Sequence, residues 1–195
     1  MPGVEGGILF PADKLRDFTV AVFEKVGVSH EDAALVTDSL IEANLRGVDT
    51  HGITRMLCVY VKRLQVGVMN AKTDWTVARE NRSTALIDAK NSIGQVVATK
   101  AMQLAIKKAK ETGVGFTAVT HANHYGAAAY YSMMALEHDM IGFSATNAPA
   151  AVAPWGGRQP MFGTNPLSYA LPAGEERPVV LDMATTVVAR GRLLL

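Results

Sequence analysis

Apolar residues recur at helical spacing through the first third of the chain and at shorter, strand-like intervals beyond it. Leu15, Phe18, Val22 and Val26 share one face of a predicted helix over residues 12–27, which Gly27 ends. Ser29 followed three positions later by Asp32 has the form of a capping box for a second helix. Its buried stripe is Val36, Leu40 and Ala43, and it runs as far as Arg46-Gly47. A third helix is expected from near Thr50, carrying Ile53, Leu57, Tyr60 or Val61, and Leu64, and closing at Gly67.

The pattern then shortens. Residues 73–80 and 83–89, with their Trp, Val, Thr and Ile, read as strands joined by the turn Glu80-Asn81-Arg82. Residues 95–112 form a long Ala- and Lys-rich helix closed by Gly113. Residues 114–120 read as a strand, 126–137 as a helix and 141–146 as a further strand. Two strands, 167–171 and 178–181, follow among Gly/Pro-rich loops. The class is therefore mixed α/β (α+β): a helical section over residues 1–70 and an α/β domain over 71–195. Residues 187–191 should open one more helix, yet the sequence given ends on Leu193-Leu194-Leu195, which reads as an interrupted protein.

Composition narrows the function classes. The 195 residues are 49% hydrophobic and 19% charged, which suits a soluble globular protein with a sizeable core. Nineteen basic and 18 acidic side chains nearly cancel, so there is no electrostatic footprint for nucleic acid or an anionic membrane. A small anionic substrate remains open, because one or two placed arginines hold it without marking the net charge. Cys58 is the single cysteine and cannot form an intramolecular disulfide or a cysteine-based zinc site. Its setting, Met56-Leu57-Cys58-Val59-Tyr60, reads as an apolar core face. The first residues lack a secretory pattern and no apolar run spans a bilayer, so a cytoplasmic protein is expected.

Three clusters carry candidate chemistry. In Arg46-Gly47-Val48-Asp49-Thr50-His51-Gly52-Ile53-Thr54-Arg55, His51 and Arg55 stand four apart. On a helix from Thr50 they share a face near its N-terminus, where anions are favoured and an arginine fork grips a carboxylate. Spacing alone is equally met by a capped helix start with solvated arginines. In Thr120-His121-Ala122-Asn123-His124-Tyr125-Gly126, two histidines follow a strand. A histidine titrates near neutrality and can give or take the proton that ketone reduction requires. The plainer alternative is one histidine bonded to backbone and one exposed. No nearby Glu, Asp or Cys completes a metal site with them, and none is expected. The third region comprises Ala145-Thr146-Asn147-Ala148-Pro149, Trp155-Gly156-Gly157, Gly163-Thr164-Asn165-Pro166 and Asp182-Met183-Ala184-Thr185-Thr186. Its glycines and Asn-Pro turns suit close backbone approach to phosphates, or ordinary loops. Gly113-Val114-Gly115-Phe116-Thr117-Ala118 has the letters of a dinucleotide fingerprint but follows a helix and opens a strand, the reverse of what that motif needs.

Together and in this order, the motifs from Arg46 to Gly52, Asn123 to Gly126, Trp155 to Gly157, Gly163 to Pro166 and Asp182 to Thr186 resemble the type 2 malate/L-lactate dehydrogenase family. That family also includes ureidoglycolate, sulfolactate and 2,3-diketogulonate dehydrogenases and cyclic imino-acid reductases. The resemblance implies a non-Rossmann nicotinamide-binding fold: a mixed, largely antiparallel sheet with flanking helices, usually as a homodimer. It implies NAD or NADP as cofactor and a small 2-oxo or 2-hydroxy acid, malate- or lactate-like, as substrate. By the same resemblance His124 is the catalytic acid/base. Arg46, His51 and Arg55 contact substrate, and Asn147, Ala148, Asp182, Met183 and Ala184 line the cofactor. Ala148 stands where some relatives have a polar residue, which leaves only its backbone as a contact. Three readings follow: a 2-hydroxyacid dehydrogenase, a truncated and inactive homologue acting through dimerisation, and a metal-assisted hydrolase using His121 and His124.

Overall fold

A computed structural model describes residues 9–187. The first three helices are α1 (Ala12–Lys25), α2 (His30–Leu45) and α3 (Ile53–Gln65), with a 3-10 turn at Asp49–His51 before the last. Ser29 caps α2 as expected, its side chain accepting from the Asp32 N–H at 3.3 Å. Val36, Leu40 and Ala43 are buried. On α1 the buried face is turned by one position from the expected stripe. Thr19 and Phe23, four apart, point into the core, while Phe18 is 59% exposed. A threonine counted as polar hides that face from a hydrophobicity pattern.

The remaining elements are β1 (Thr76–Glu80), β2 (Thr84–Asp88), α4 (Gly94–Thr112), β3 (Phe116–Thr120), the short α5 (Ala129–Ser132), β4 (Gly142–Ala145), β5 (Leu167–Leu171) and β6 (Val179–Met183). The expected helix over 126–137 is broken: α5 is one turn, and a 3-10 stretch continues it over Met133–His138. Gly113 caps α4 in the left-handed region, and the chain then enters β3, which disposes of the dinucleotide fingerprint. The predicted helix opening at residues 187–191 lies outside the described residues from 188 onward.

The expected mixed, largely antiparallel arrangement with flanking helices is present, divided among the described residues into two three-stranded sheets. In the first, β1–β2 is antiparallel and β2–β3 parallel, with α4 as the crossover. The second, β4–β5–β6, is antiparallel throughout. Helix α4 ties the chain together through two apolar clusters. Ile93 and Val96 join Phe23, Leu40, Leu57 and Tyr60 of the helical section, while Val97 and Ala101 pack on Ile87 of β2. Each such side chain fully buried contributes roughly 1.5–3 kcal/mol. The site described next sits where α3, the loop after β3 and the end of β6 converge. Among the described residues no helix is long and apolar enough to cross a membrane.

Candidate functional site

Asn44, at the end of α2, organises the segment that carries His51. Its Nδ2 donates to Asp49 Oδ1 at 2.5 Å and its Oδ1 accepts the Ile53 N–H at 2.8 Å, satisfying an orphan donor of α3 from nine residues away. A Cβ on Gly52 would lie 2.2 Å from Asn44 Oδ1, so only glycine lets the two segments close. Consequently α3 starts at Ile53 rather than near Thr50. His51 stands in the preceding 3-10 turn, not on one helical face with Arg55. Thr50 Oγ1 lies 3.0 Å from His51 Nδ1.

The loop after β3 is pinned on both sides. Asn123 Nδ2 donates to Asn91 O at 3.0 Å, to Asn91 Oδ1 at 2.9 Å and to Ser92 O at 3.2 Å. Gly126 takes a φ of +83°, which turns its N–H back onto His124 Nδ1 at 3.2 Å. The Tyr60 hydroxyl reaches that same nitrogen at 2.6 Å. His51 stacks on His124, ring centroids 5.6 Å apart and planes within 19°. The rest of His124 is open to solvent. His121 does not join this group: its Nδ1 lies 3.1 Å from Asp88 Oδ1 at the exposed end of β2.

This setting disfavours charge on the imidazole. Desolvation, then the positive fields of His51, Arg63 and Arg55, pull the His124 pKa from 6.5 down to about 4. His51 is lowered too, by desolvation first, with Asp182 opposing and Arg55 reinforcing. Between 6.5 and about 4 the unfolded chain takes up a proton at this position that the folded chain refuses, so stability falls as pH falls through that window. Thermal melts across the window should show the midpoint dropping on acidification, with a shallower slope for His124→Asn. Parallel slopes would contradict it.

Asp182, near the end of β6, brings an anion to the same place. Its Oδ2 accepts the Ala129 N–H at 2.9 Å, which fixes the carboxylate beside α5. Its pKa is raised, by desolvation first, against the Ala129 hydrogen bond and the charges of His51 and Arg46. Arg46 and Asp182 face a cleft of about 170 Å³ that also includes Glu42, Tyr130 and Val180. A larger open hollow of about 350 Å³, between Lys107, Lys110 and His138, contains none of these residues. Charge thus couples Arg46, His51, Arg55, His124 and Asp182 into one chain of interactions, in which Asp182 acts on His51 from the sheet end.

Asn147, Ala148, Met183 and Ala184 lie at one end of the second sheet, because Ala145 pairs with Leu167 and Leu167 with Met183. Asn165 Oδ1 accepts the Ala148 N–H at 2.9 Å, and Thr185 N donates to Thr164 O at 2.9 Å. The Ala148 amide is therefore engaged within the loop. A Cβ on Gly163 would meet Ala148 O at 2.1 Å, so the two loops pack backbone to backbone. Asn147 is exposed. Among the described residues no three His, Cys, Asp or Glu side chains gather as metal ligands.

Two features escaped the sequence pattern. Tyr60 reads there as one of two choices for a core stripe, yet its hydroxyl is part of the site. A buried tyrosine must find a polar partner, and that requirement was the available signal. Arg63, one turn further along α3, acts on both His124 and Tyr60. Cys58 needs correction: it is exposed, because the buried face of α3 is Met56, Leu57, Tyr60 and Leu64. An apolar neighbourhood in sequence does not decide which way one position of a helix points.

The family model for malate/L-lactate dehydrogenase matches residues 10–195. The chain belongs to the malate/L-lactate dehydrogenase family. It is 48% identical to malate dehydrogenase of Pyrococcus horikoshii over 189 residues, 97% of this chain and 52% of the relative. It is 44% identical to L-sulfolactate dehydrogenase of Methanocaldococcus jannaschii, over 96% of this chain and 54% of the relative. The solved structure of malate dehydrogenase from Pyrococcus horikoshii OT3 superposes with a TM-score of 0.94 at 47% identity, covering 97% of this chain and 54% of that one. The chain spans about half the length of the curated relatives it matches.

Proposed function

We propose that the protein is an NAD(P)-dependent oxidoreductase that passes a hydride between the nicotinamide and C2 of a small 2-oxo or 2-hydroxy acid. The observation that carries the reading is the stack of His51 on His124, with the charge of Arg55 acting on both rings and Asp182 coupled to His51 and to Arg46. Two arginines there meet a carboxylate, and His124 offers a polarised N–H to the neighbouring carbonyl oxygen. The sheet end fits a nicotinamide. Its groups are mostly uncharged, with the exposed Asn147 amide, loop backbone around Ala148 and Ala184, and the thioether of Met183. When bound, the reduced ring supplies the hydride. The chain's own residues orient the acid, hold the ketone oxygen against His124 Nε2 and keep charge balanced through Asp182.

NADH or NADPH offered with a panel of 2-oxo acids, including oxaloacetate, pyruvate and sulfopyruvate, tests this directly. Loss of nicotinamide absorbance with at least one acid is expected, and a flat trace with all of them would overturn the proposal. Arg55→Lys should raise KM for the acid severalfold with little effect on NAD(P)H affinity, since lysine keeps the charge and loses the fork. Unchanged substrate kinetics would move the carboxylate clamp to Arg46.

A further inference from the structure

The donors around His124 fix which nitrogen carries its hydrogen. A backbone N–H can only donate, so Gly126 N, 3.2 Å from Nδ1, makes Nδ1 an acceptor. The Tyr60 hydroxyl, 2.6 Å away, then donates to the same nitrogen. The ring hydrogen is left on Nε2. In this state the imidazole can offer a hydrogen bond at Nε2 but cannot give up that proton without forming an imidazolate, unless Nδ1 receives another. Among the described residues only Tyr60 is placed to supply one, since Gly126 cannot release its amide hydrogen. Tyr60 is completely buried. Gln95, whose side-chain amide is buried without a hydrogen-bond partner among the described residues, favours, with Arg63, negative charge on the phenol oxygen. Desolvation acts the other way and keeps the hydroxyl protonated at rest.

We propose that Tyr60 is a positioning residue that locks His124 in its Nε2–H form and passes a proton to Nδ1 during turnover. This rests on the proposed reduction of a 2-oxo acid. As hydride from the reduced nicotinamide reaches C2, charge builds on the ketone oxygen. The Nε2–H bond breaks as a new O–H bond forms on that oxygen. The Tyr60 O–H bond breaks as Nδ1 takes its proton. The negative charge ends on the phenol oxygen, facing Arg63 and Gln95, and a proton from solvent restores the pair. The groups bearing on this relay are His51 from the 3-10 turn and Arg55 and Arg63 from α3, with Asp182 of β6 acting through His51.

Tyr60→Phe keeps the ring and removes the relay. Turnover should fall by roughly tenfold or more, while KM for the acid and NADH affinity stay close to wild type. Side-chain ¹⁵N NMR of the folded protein, which needs no substrate, should report one Nε2–H tautomer for His124 in the wild type and a mixture in Tyr60→Phe. An unchanged turnover, or a wild-type His124 protonated on Nδ1, would overturn the relay. If Tyr60→Phe melts early, Gln95→Met serves as the second variant, and the NMR readout still decides the tautomer. A flat trace of the unaltered protein with every 2-oxo acid would instead remove the 2-oxo acid reading itself, and the NMR readout needs no substrate, so the two failures are distinguishable.

Discussion

His124→Ala should cut turnover by about 10²–10⁴-fold, the range general acid catalysis contributes, and leave NAD(P)H affinity nearly intact. The expectation rests on position. His124 is held between Tyr60, Gly126 and the His51 ring, with its remaining surface open. Among the described residues of the cluster the other titratable groups near it, His51 and Asp182, have partners. His51 already leans on Thr50, and Asp182 is tied to Ala129. The variant also strands the Tyr60 hydroxyl, at roughly 1–3 kcal/mol for a buried group left unpaired, so its melting temperature must be measured beside its rate. His121→Ala is the internal control. That ring pairs with Asp88 on the exposed side of the loop, and its loss should leave turnover nearly unchanged. A drop below roughly tenfold in His124→Ala would reject the assignment.

Periodicity located nearly every element of this fold because the local rules and the tertiary structure agree over most of its length. The cap at Ser29, the left-handed Gly113 and the alternation through β5 are all decided within a few residues. The departures come from contacts between distant positions. Helix α3 starts late because Asn44 reaches across to Ile53, and no window centred on Thr50 contains that bond. The segment after Gly126 yields only one α-helical turn before its 3-10 stretch. Phe18 and Cys58 are exposed although their sequence neighbourhoods are apolar, because distant neighbours settle which side of a helix is covered.

The site was legible as motifs but not as an arrangement. Spacing joins His51 to Arg55 and His121 to His124, whereas the folded chain joins His51 to His124 and leaves His121 outside. Seventy-three positions separate the stacked rings in sequence, and only the parallel β2–β3 pairing with its α4 crossover brings the loop after β3 back to the helical section. Asp182 belongs to the sheet end by sequence order, yet its charge acts on His51 and Arg46 because β6 lies beside α5. Tyr60 shows the same limit at the scale of one side chain. Its ring serves the core cluster and its hydroxyl serves the histidine, and a hydrophobicity pattern reports only the first.

Gly94→Ala should damage stability and turnover together, although the residue touches neither substrate nor histidine side chain. Gly94 opens α4 directly against the backbone of residues 123–124. A Cβ there would lie 2.3 Å from Asn123 O and 2.5 Å from His124 O, distances at which the backbone itself must move. Neither carbonyl can swing aside freely. Asn123 is anchored by three hydrogen bonds to Asn91 and Ser92, and His124 is held through Gly126 and Tyr60. Forcing an extra carbon into such a contact costs about 1–3 kcal/mol. Whatever relief the loop finds carries His124 with it. A shift of about 1 Å at a catalytic group can cost about 10²-fold in rate. Urea unfolding should therefore show the lower midpoint, and kinetics at a temperature where the variant is fully folded should show kcat reduced with NAD(P)H affinity retained. A folded Gly94→Ala protein with wild-type turnover would mean that the loop yields without moving His124, and the rigid presentation argued for that residue would fail.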